Sequence, residues 1–190
     1  MPNEPTDWSL VEQVRAGDDR AFDALMGKYS RPILNFVWRM IGDAGEAEDV
    51  AQEVFVRAYR GMREGRCRKT DAKFSTWLFQ VARNAALDAV RRRGRHPAAS
   101  LAALEESGGQ PAITQQTAAR EMATREDLDE IAAAVSRLPE DQRAALLLSE
   151  YEDFSQAEIA ATLRCSVKSV ESRLYRARQF LRRQLAHLLE

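Results

Sequence analysis

Residues Ser155–Arg178, SQAEIAATLRCSVKSVESRLYRAR, decide the fold. Ser155-Gln156-Ala157-Glu158 has the form of a capping box, in which hydroxyl and carboxylate satisfy each other's free backbone donors at a helix start. The helix it opens is short and ends near Leu163. A tight turn follows around Arg164-Cys165, and Ser166 is placed to cap a second, longer helix running to about Leu188. Ala160 stands where the two helices must approach closely, and Ile159, Leu163, Val167, Val170 and Leu174 are expected to fill the angle between them. That is the pattern of a helix-turn-helix. The second helix then presents Lys168, Ser169, Glu171, Ser172, Tyr175, Arg176 and Gln179, flanked by Arg173, Arg178, Arg182 and Arg183. Arginine can read guanine edges bidentately, and a glutamate can accept from cytosine N4. Flanking arginines reach phosphates. The plain alternative is a basic surface helix in an all-helical domain.

On either side of this stretch helical periodicity continues almost throughout, with no strand signal and no internal repeat. Leu10, Val11 and Val14 mark a short helix. Phe22, Leu25, Met26, Tyr29, Ile33, Phe36, Val37 and Met40 mark a long one, with Pro32 inside it and Gly42 as its stop. Ala47, Val50, Ala51, Val54, Phe55, Ala58 and Tyr59 line the next, whose first turns carry Glu46, Glu48 and Asp49 as suits a helix N-terminus. Residues 61–72 have two glycines and no apolar stripe, and read as a basic loop. A helix from about Lys73 places Phe74, Trp77, Leu78, Val81, Ala85 and Ala89 on one face, with Phe79 off that stripe and expected to be exposed. Gly94 and Pro97 are its expected terminators. Periodicity lapses over 96–122, where Gly108-Gly109 and Pro111 lie among Ala, Ser, Thr and Gln. That composition reads as a linker with a frayed helix at most, able to reach roughly 80 Å. Leu128, Ile131, Ala132, Val135 and Leu138 resume the stripe, closed by Pro139, and Ala144, Leu147, Leu148 and Tyr151 form the next.

The net charge of -1 hides alternating blocks. Residues 43–56 carry five acids and no base, 57–95 twelve bases and three acids, and 155–190 seven bases and three acids. Two separate basic surfaces imply two contacts with a polyanion. In the first, Phe74, Trp77 and Phe79 interleave with Lys73, Arg83, Asn84, Arg91, Arg92, Arg93 and Arg95. Basic charge with aromatic faces is what single-stranded nucleic acid requires. Helical spacing nevertheless favours Trp77 as core, leaving Arg83, Asn84 and Asp88 on a polar face. The acidic stretch Asp43–Glu53 fails as a calcium loop because Gly45 and Ala47 occupy ligand positions. A solvated acidic face and a docking surface for a basic protein both remain open.

Other classes are excluded or disfavoured. No apolar run spans a membrane, and the polar, acidic start Met1–Trp8 is no signal peptide, so a cytoplasmic protein without direct membrane insertion is expected. Cys67 and Cys165 are far apart and form no metal or disulfide pattern; one loop thiol and one half-buried apolar residue are expected. No Walker loop, GxSxG, HExxH or dinucleotide fingerprint occurs, and His96 and His187 lie in the linker and the tail, both read as exposed. Neither an enzyme nor a cofactor or metal is called for.

The ordered set of motifs resembles an extracytoplasmic-function sigma factor, the minimal two-domain class within the sigma-70 family. Asp49-Val-Ala-Gln-Glu-Val-Phe is similar to that family's polymerase-docking helix. Phe74–Asp88 with the arginine run after it resembles the promoter-melting and -10-recognition helix. Leu138-Pro-Glu-Asp-Gln-Arg resembles the opening of the second domain, and Ser155–Ala160 with Val170–Arg178 resembles its -35-reading helix-turn-helix. The resemblance implies an all-α fold of two small helical domains, region 2-like over 1–95 and region 4-like over 125–190, joined by a flexible linker over 96–124. It implies docking on the clamp and flap of core RNA polymerase, with Asp49, Gln52, Glu53 and Phe55 as clamp contacts. It further implies -10 binding by Arg83, Asn84, Asp88, Arg91 and Arg92 with the loop before them. Reading of the -35 element falls to Lys168, Ser169, Glu171, Ser172, Arg173, Tyr175, Arg176 and Arg178. Such factors are commonly restrained by an anti-sigma protein, often membrane-bound. Lys168-Ser169 and Glu171 depart from common family residues, so the promoter sequence cannot be borrowed. The competing reading is a stand-alone helix-turn-helix regulator, which ordinarily dimerises; no clear dimerisation helix is visible.

Overall fold

In the computed structural model, which describes residues 5–95 and 125–188, side chains and glycines punctuate the chain much as the sequence indicates. The Thr6 hydroxyl accepts from the Ser9 amide to open α1 (Asp7–Ala16), and Gly17, at φ 106°, closes it. Asp18 caps α2 (Asp19–Ile41), which runs through Pro32 and stops at Gly42, φ 82°. Asp43 caps α3 (Ala44–Arg63) by accepting from the Glu46 amide. Left-handed φ is nearly free for glycine and costly for a residue with a Cβ, which is why glycines occupy both stops. α4 spans Phe74–Arg95.

α2 lies against α1, α3 and α4, and α3 against α4, making a four-helix bundle. Ile33, Val37, Met40, Val54 and Ala85 are fully buried at its centre. Edge-to-face aromatic contacts run through it, Trp8 and Tyr29 on Phe74 and Phe36 on Phe79, with centroids 5.9, 5.6 and 5.4 Å apart.

The second group of helices comprises α5 (Arg125–Ser136), α6 (Glu140–Glu150), α7 (Gln156–Leu163) and α8 (Val167–Gln184), followed by a 3-10 turn at Ala186–Leu188. α6 packs on α7 and α8, and α7 on α8. The two groups also touch: α7 lies on α4, and α2 against α5 and α6. Arg143 of α6 donates to the Met40 carbonyl at 2.6 Å, a cation at the C-terminal end of α2. All the described elements are helical, with no strand among them.

Several expectations need correction. The loop taken to begin at residue 61 begins after Arg63, because Met62 completes the buried stripe and Gly61 lies beneath Trp77. Phe79 is buried, not exposed: α4 is covered on two sides, and this ring meets Phe36 on one and Phe154 of the second group on the other. Gly94 does not stop α4, which continues to Arg95. In α5 it is Ala134, not Ala132, that is buried. Val167 is 41% exposed; as the first residue of α8 it precedes the turn that faces α7. α8 ends at Gln184 rather than near Leu188. Cys67 is a buried loop residue whose thiol burial pushes up to about 12, which suits an inert apolar role, and Cys165 is half-buried. The expected linker over 96–124, with His96 and Pro97, lies outside the described residues.

Candidate nucleic-acid interface

The helix-turn-helix is built by local chemistry. The capping box at the start of α7 is complete: Ser155 Oγ accepts from the Glu158 amide, and the Glu158 carboxylate accepts from the Ser155 amide at 2.8 Å. The Glu158 carboxyl also takes an ion pair from Lys73 at 2.8 Å. With the Lys73 contact as the leading cause, its acidity is strengthened to about 2. Arg164 ends α7 at φ 51°, ψ 50°, a left-handed position that turns the chain sharply, and Ser166 caps α8 by accepting from the Ser169 amide. Ile159, Leu163, Val170, Leu174 and Ala177 are buried between α6, α7 and α8, which fixes the outward face of α8.

That face carries most of the residues the sequence assigns to it. Lys168, Glu171, Ser172, Tyr175, Arg176 and Arg178 are exposed, Tyr175 to 66%. Ser169 is half-buried near the cap. Arg178 pairs with Glu150 at 2.7 Å. Arg173 is different: it is turned inward, with Nη2 on Asp141 at 3.0 Å and Nη1 donating to the Cys165 sulfur at 3.3 Å.

On α4, Asn84, Arg91 and Arg92 are exposed. Arg83 is not free on that face, since its Nη2 donates to Asp141 at 2.6 Å. Asp88 is partnered by Arg57 at 3.5 Å, and Arg57 also pairs with Glu53 at 2.6 Å. Arg93 bridges Asp43 and Glu46, so part of the acidic run at the start of α3 is neutralised internally. Trp77 is half-buried, intermediate between core and platform.

Asp49 and Gln52 stand exposed on α3, and Glu53 is half-exposed. Phe55 points inward, packed edge-to-face on Phe22 at 6.5 Å. It floors a groove of about 710 Å³ between α2 and α3, lined by Phe22, Met26, Leu34, Val56 and Tyr59 and rimmed by Glu48 and Gln52. Val56 is 48% exposed there. Exposed apolar troughs of this kind are where proteins bind partners or ligands. The sequence reading named α3 but missed the contribution of α2. The signal was the width of the α2 apolar face, where Phe22, Met26 and Leu34 extend it beyond the buried stripe. Among the described residues no group of three or more His, Cys, Asp and Glu could hold a metal, and no helix is long and apolar enough to cross a membrane. His187 is exposed and lies 3.0 Å from Glu130.

Comparison with known proteins follows the same division. Residues 25–96 match the model of sigma-70 region 2, and residues 128–181 that of sigma-70 region 4. The chain is 38% identical to the RNA polymerase sigma-H factor of Pseudomonas aeruginosa, over 100% of its own length and 98% of the relative's. It is 35% identical to the ECF RNA polymerase sigma-E factor of Escherichia coli, over 100% and 99%. Among solved structures it resembles CnrH in complex with the cytosolic domain of CnrY, with TM-score 0.68 and 27% identity over 95% of this chain and 97% of that one. The fold is also that of the sigma factor RpoE from Bartonella quintana, solved with the anti-sigma factor NepR, with TM-score 0.66 and 24% identity over 87% and 96%.

Proposed function

Because the chain belongs to the sigma-70 family of RNA polymerase sigma factors, in its extracytoplasmic-function class, we propose that it docks on core polymerase through the α2–α3 groove and reads two promoter elements through α4 and α8. The observation that carries this reading is the pair of family regions in order within one chain, 25–96 and 128–181, each holding a basic helix with exposed polar residues. A stand-alone regulator would need only the second.

Asp49, Gln52 and Glu53 meet the clamp of the polymerase, with the groove over Phe55 taking an apolar side chain. Asn84, Arg91 and Arg92 engage the -10 element, Asn84 offering a donor and an acceptor to an unstacked base. Arg83 and Asp88 join them on release from Asp141 and Arg57. Lys168, Ser169, Glu171, Ser172, Tyr175 and Arg176 read the -35 element in the major groove, with Arg173 and Arg178 on phosphates. Strand separation is driven by binding energy, with no chemical step on this chain, which acts in the cytoplasm where polymerase is found. Control by an anti-sigma protein belongs to the same proposal, since RpoE is bound to one.

The test separates the two surfaces. Gln52→Ala weakens binding to core polymerase and leaves DNA binding unchanged. Arg176→Ala leaves core binding unchanged and costs about 1–3 kcal/mol at one -35 base pair, read by binding to single-base variants. A uniform loss across all sequences makes Arg176 a phosphate contact, and loss of both activities in either variant contradicts the division of labour.

A further inference from the structure

Glu171 lies in the second turn of α8, which is capped by Ser166 and has no acid in its first turn. The helix holds six bases, Lys168, Arg173, Arg176, Arg178, Arg182 and Arg183, and Glu171 is its single acid. Neighbouring carboxylates serve the fold. Asp141 takes Arg173 at 3.0 Å, Glu150 takes Arg178 at 2.7 Å, and Glu158 completes the capping box of α7. Glu171 does none of this. It is exposed, and among the described residues no base pairs with it. Val167 and Tyr175, one helical turn away on either side, offer it no ion pair. An acid that stabilises a helix dipole belongs in the first turn, because the effect fades beyond it.

Lys168, Glu171, Ser172 and Tyr175 recur at intervals of three and four and share an exposed face near the start of α8. The start of a recognition helix is the part that reaches base edges. Phosphates wall the groove and repel a carboxylate, so its charge is costly there unless it meets a donor. A carboxylate only accepts hydrogen bonds. The major groove offers two donors, the N4 amino group of cytosine and the N6 amino group of adenine. Adenine sets N6 beside its N7 acceptor, which suits an amide that both donates and accepts. Cytosine presents its amino group with no acceptor on the same edge, and guanine O6 and N7 and thymine O4 are acceptors that repel.

We infer that Glu171 is a specificity-determining residue that selects a cytosine in the -35 element by accepting from its N4 amino group. This rests on α8 being the -35 reader, and it fixes the class of base that one of its residues takes. The same charge works against every duplex that lacks the amino group at that place, since repulsion by phosphate is then uncompensated.

The test uses core polymerase loaded with the full chain. Active templates are selected from a random-sequence promoter library by wild type and by Glu171→Ala, whose exposed site leaves the fold intact. Wild type is expected to hold one upstream base pair as cytosine–guanine in a fixed orientation. Glu171→Ala is expected to leave that pair indifferent and the other upstream pairs unchanged. One selected promoter is then rebuilt with a pyrimidinone that lacks the N4 amino group in place of that cytosine, its partner guanine untouched. Transcription by wild type is expected to fall by about fivefold or more on the altered template, and by Glu171→Ala to fall much less. An upstream motif in which every position survives Glu171→Ala overturns the inference, as does an adenine–thymine pair at the altered position. So does an equal loss by both proteins on the pyrimidinone template. A uniform gain in Glu171→Ala with no position altered makes Glu171 a repulsive charge alone and overturns it too. Failure of wild type to initiate on any template sinks the proposed function instead, and selection of random duplexes by the chain alone then judges Glu171 on the same position.

Discussion

Glu152, half-buried in the turn between α6 and α7, is a carboxylate held away from its ordinary behaviour. Burial pushes its acid group up to about 7, opposed by the charge of Arg39 and reinforced by Asp153. A raised folded value means that the folded chain holds this proton more tightly than the unfolded chain does. The stabilisation is therefore fully present below about 4.5 and lost as pH rises through about 7. Glu152→Gln keeps the shape and removes the ionisation. Its melting temperature should match wild type at about pH 4 and exceed it at about pH 8, by about 2–4 °C for each kcal/mol recovered. A difference that does not vary with pH contradicts the assignment. Legibility at this scale follows distance along the chain. The Ser155–Glu158 capping box was readable because its partners lie three residues apart. The engagement of Arg83 and Arg173 by Asp141 was not, because the partners are 58 and 32 residues away and nothing local marks them.

At the scale of elements, periodicity located each helix, and caps set most of the starts. It failed where a residue is small for the sake of a neighbour. Gly61 looked like a loop glycine, yet it lies inside α3, where an added Cβ would come to 3.0 Å from Trp77 Cζ2 and 3.2 Å from Cη2. The side chain is absent to admit the indole, not to free the backbone. Alanine is the better helix former by about 1 kcal/mol, so Gly61→Ala would stabilise if the space were open. Overpacking costs about 1–3 kcal/mol, and the rigid ring cannot yield cheaply. Thermal denaturation should show net destabilisation, and a stabilised variant would mean that Trp77 shifts freely. Phe79 was misread for a related reason. A one-stripe pattern assumes one buried face, whereas α4 is covered by the bundle and by the second helix group together.

At the scale of the whole molecule, the alternation of charge along the chain was the clearest sign of function, because a net charge of -1 concealed two basic surfaces. The order of motifs then distinguished a two-element promoter reader from a single DNA-binding module, and the matches over 25–96 and 128–181 place both regions in one chain. What the sequence could not convey was that the two helix groups meet, since packing of α7 on α4 leaves no periodic trace in either helix. In the proposed function α4 and α8 together read one promoter on behalf of core polymerase. Run-off transcription of a random-sequence promoter library by core polymerase loaded with this chain decides whether they do. Transcripts are expected from templates enriched in two separated motifs, with Arg176→Ala altering only the upstream one and Asn84→Ala only the downstream one. Absence of initiation while the chain still binds core and DNA, or enrichment of a single motif, would contradict it.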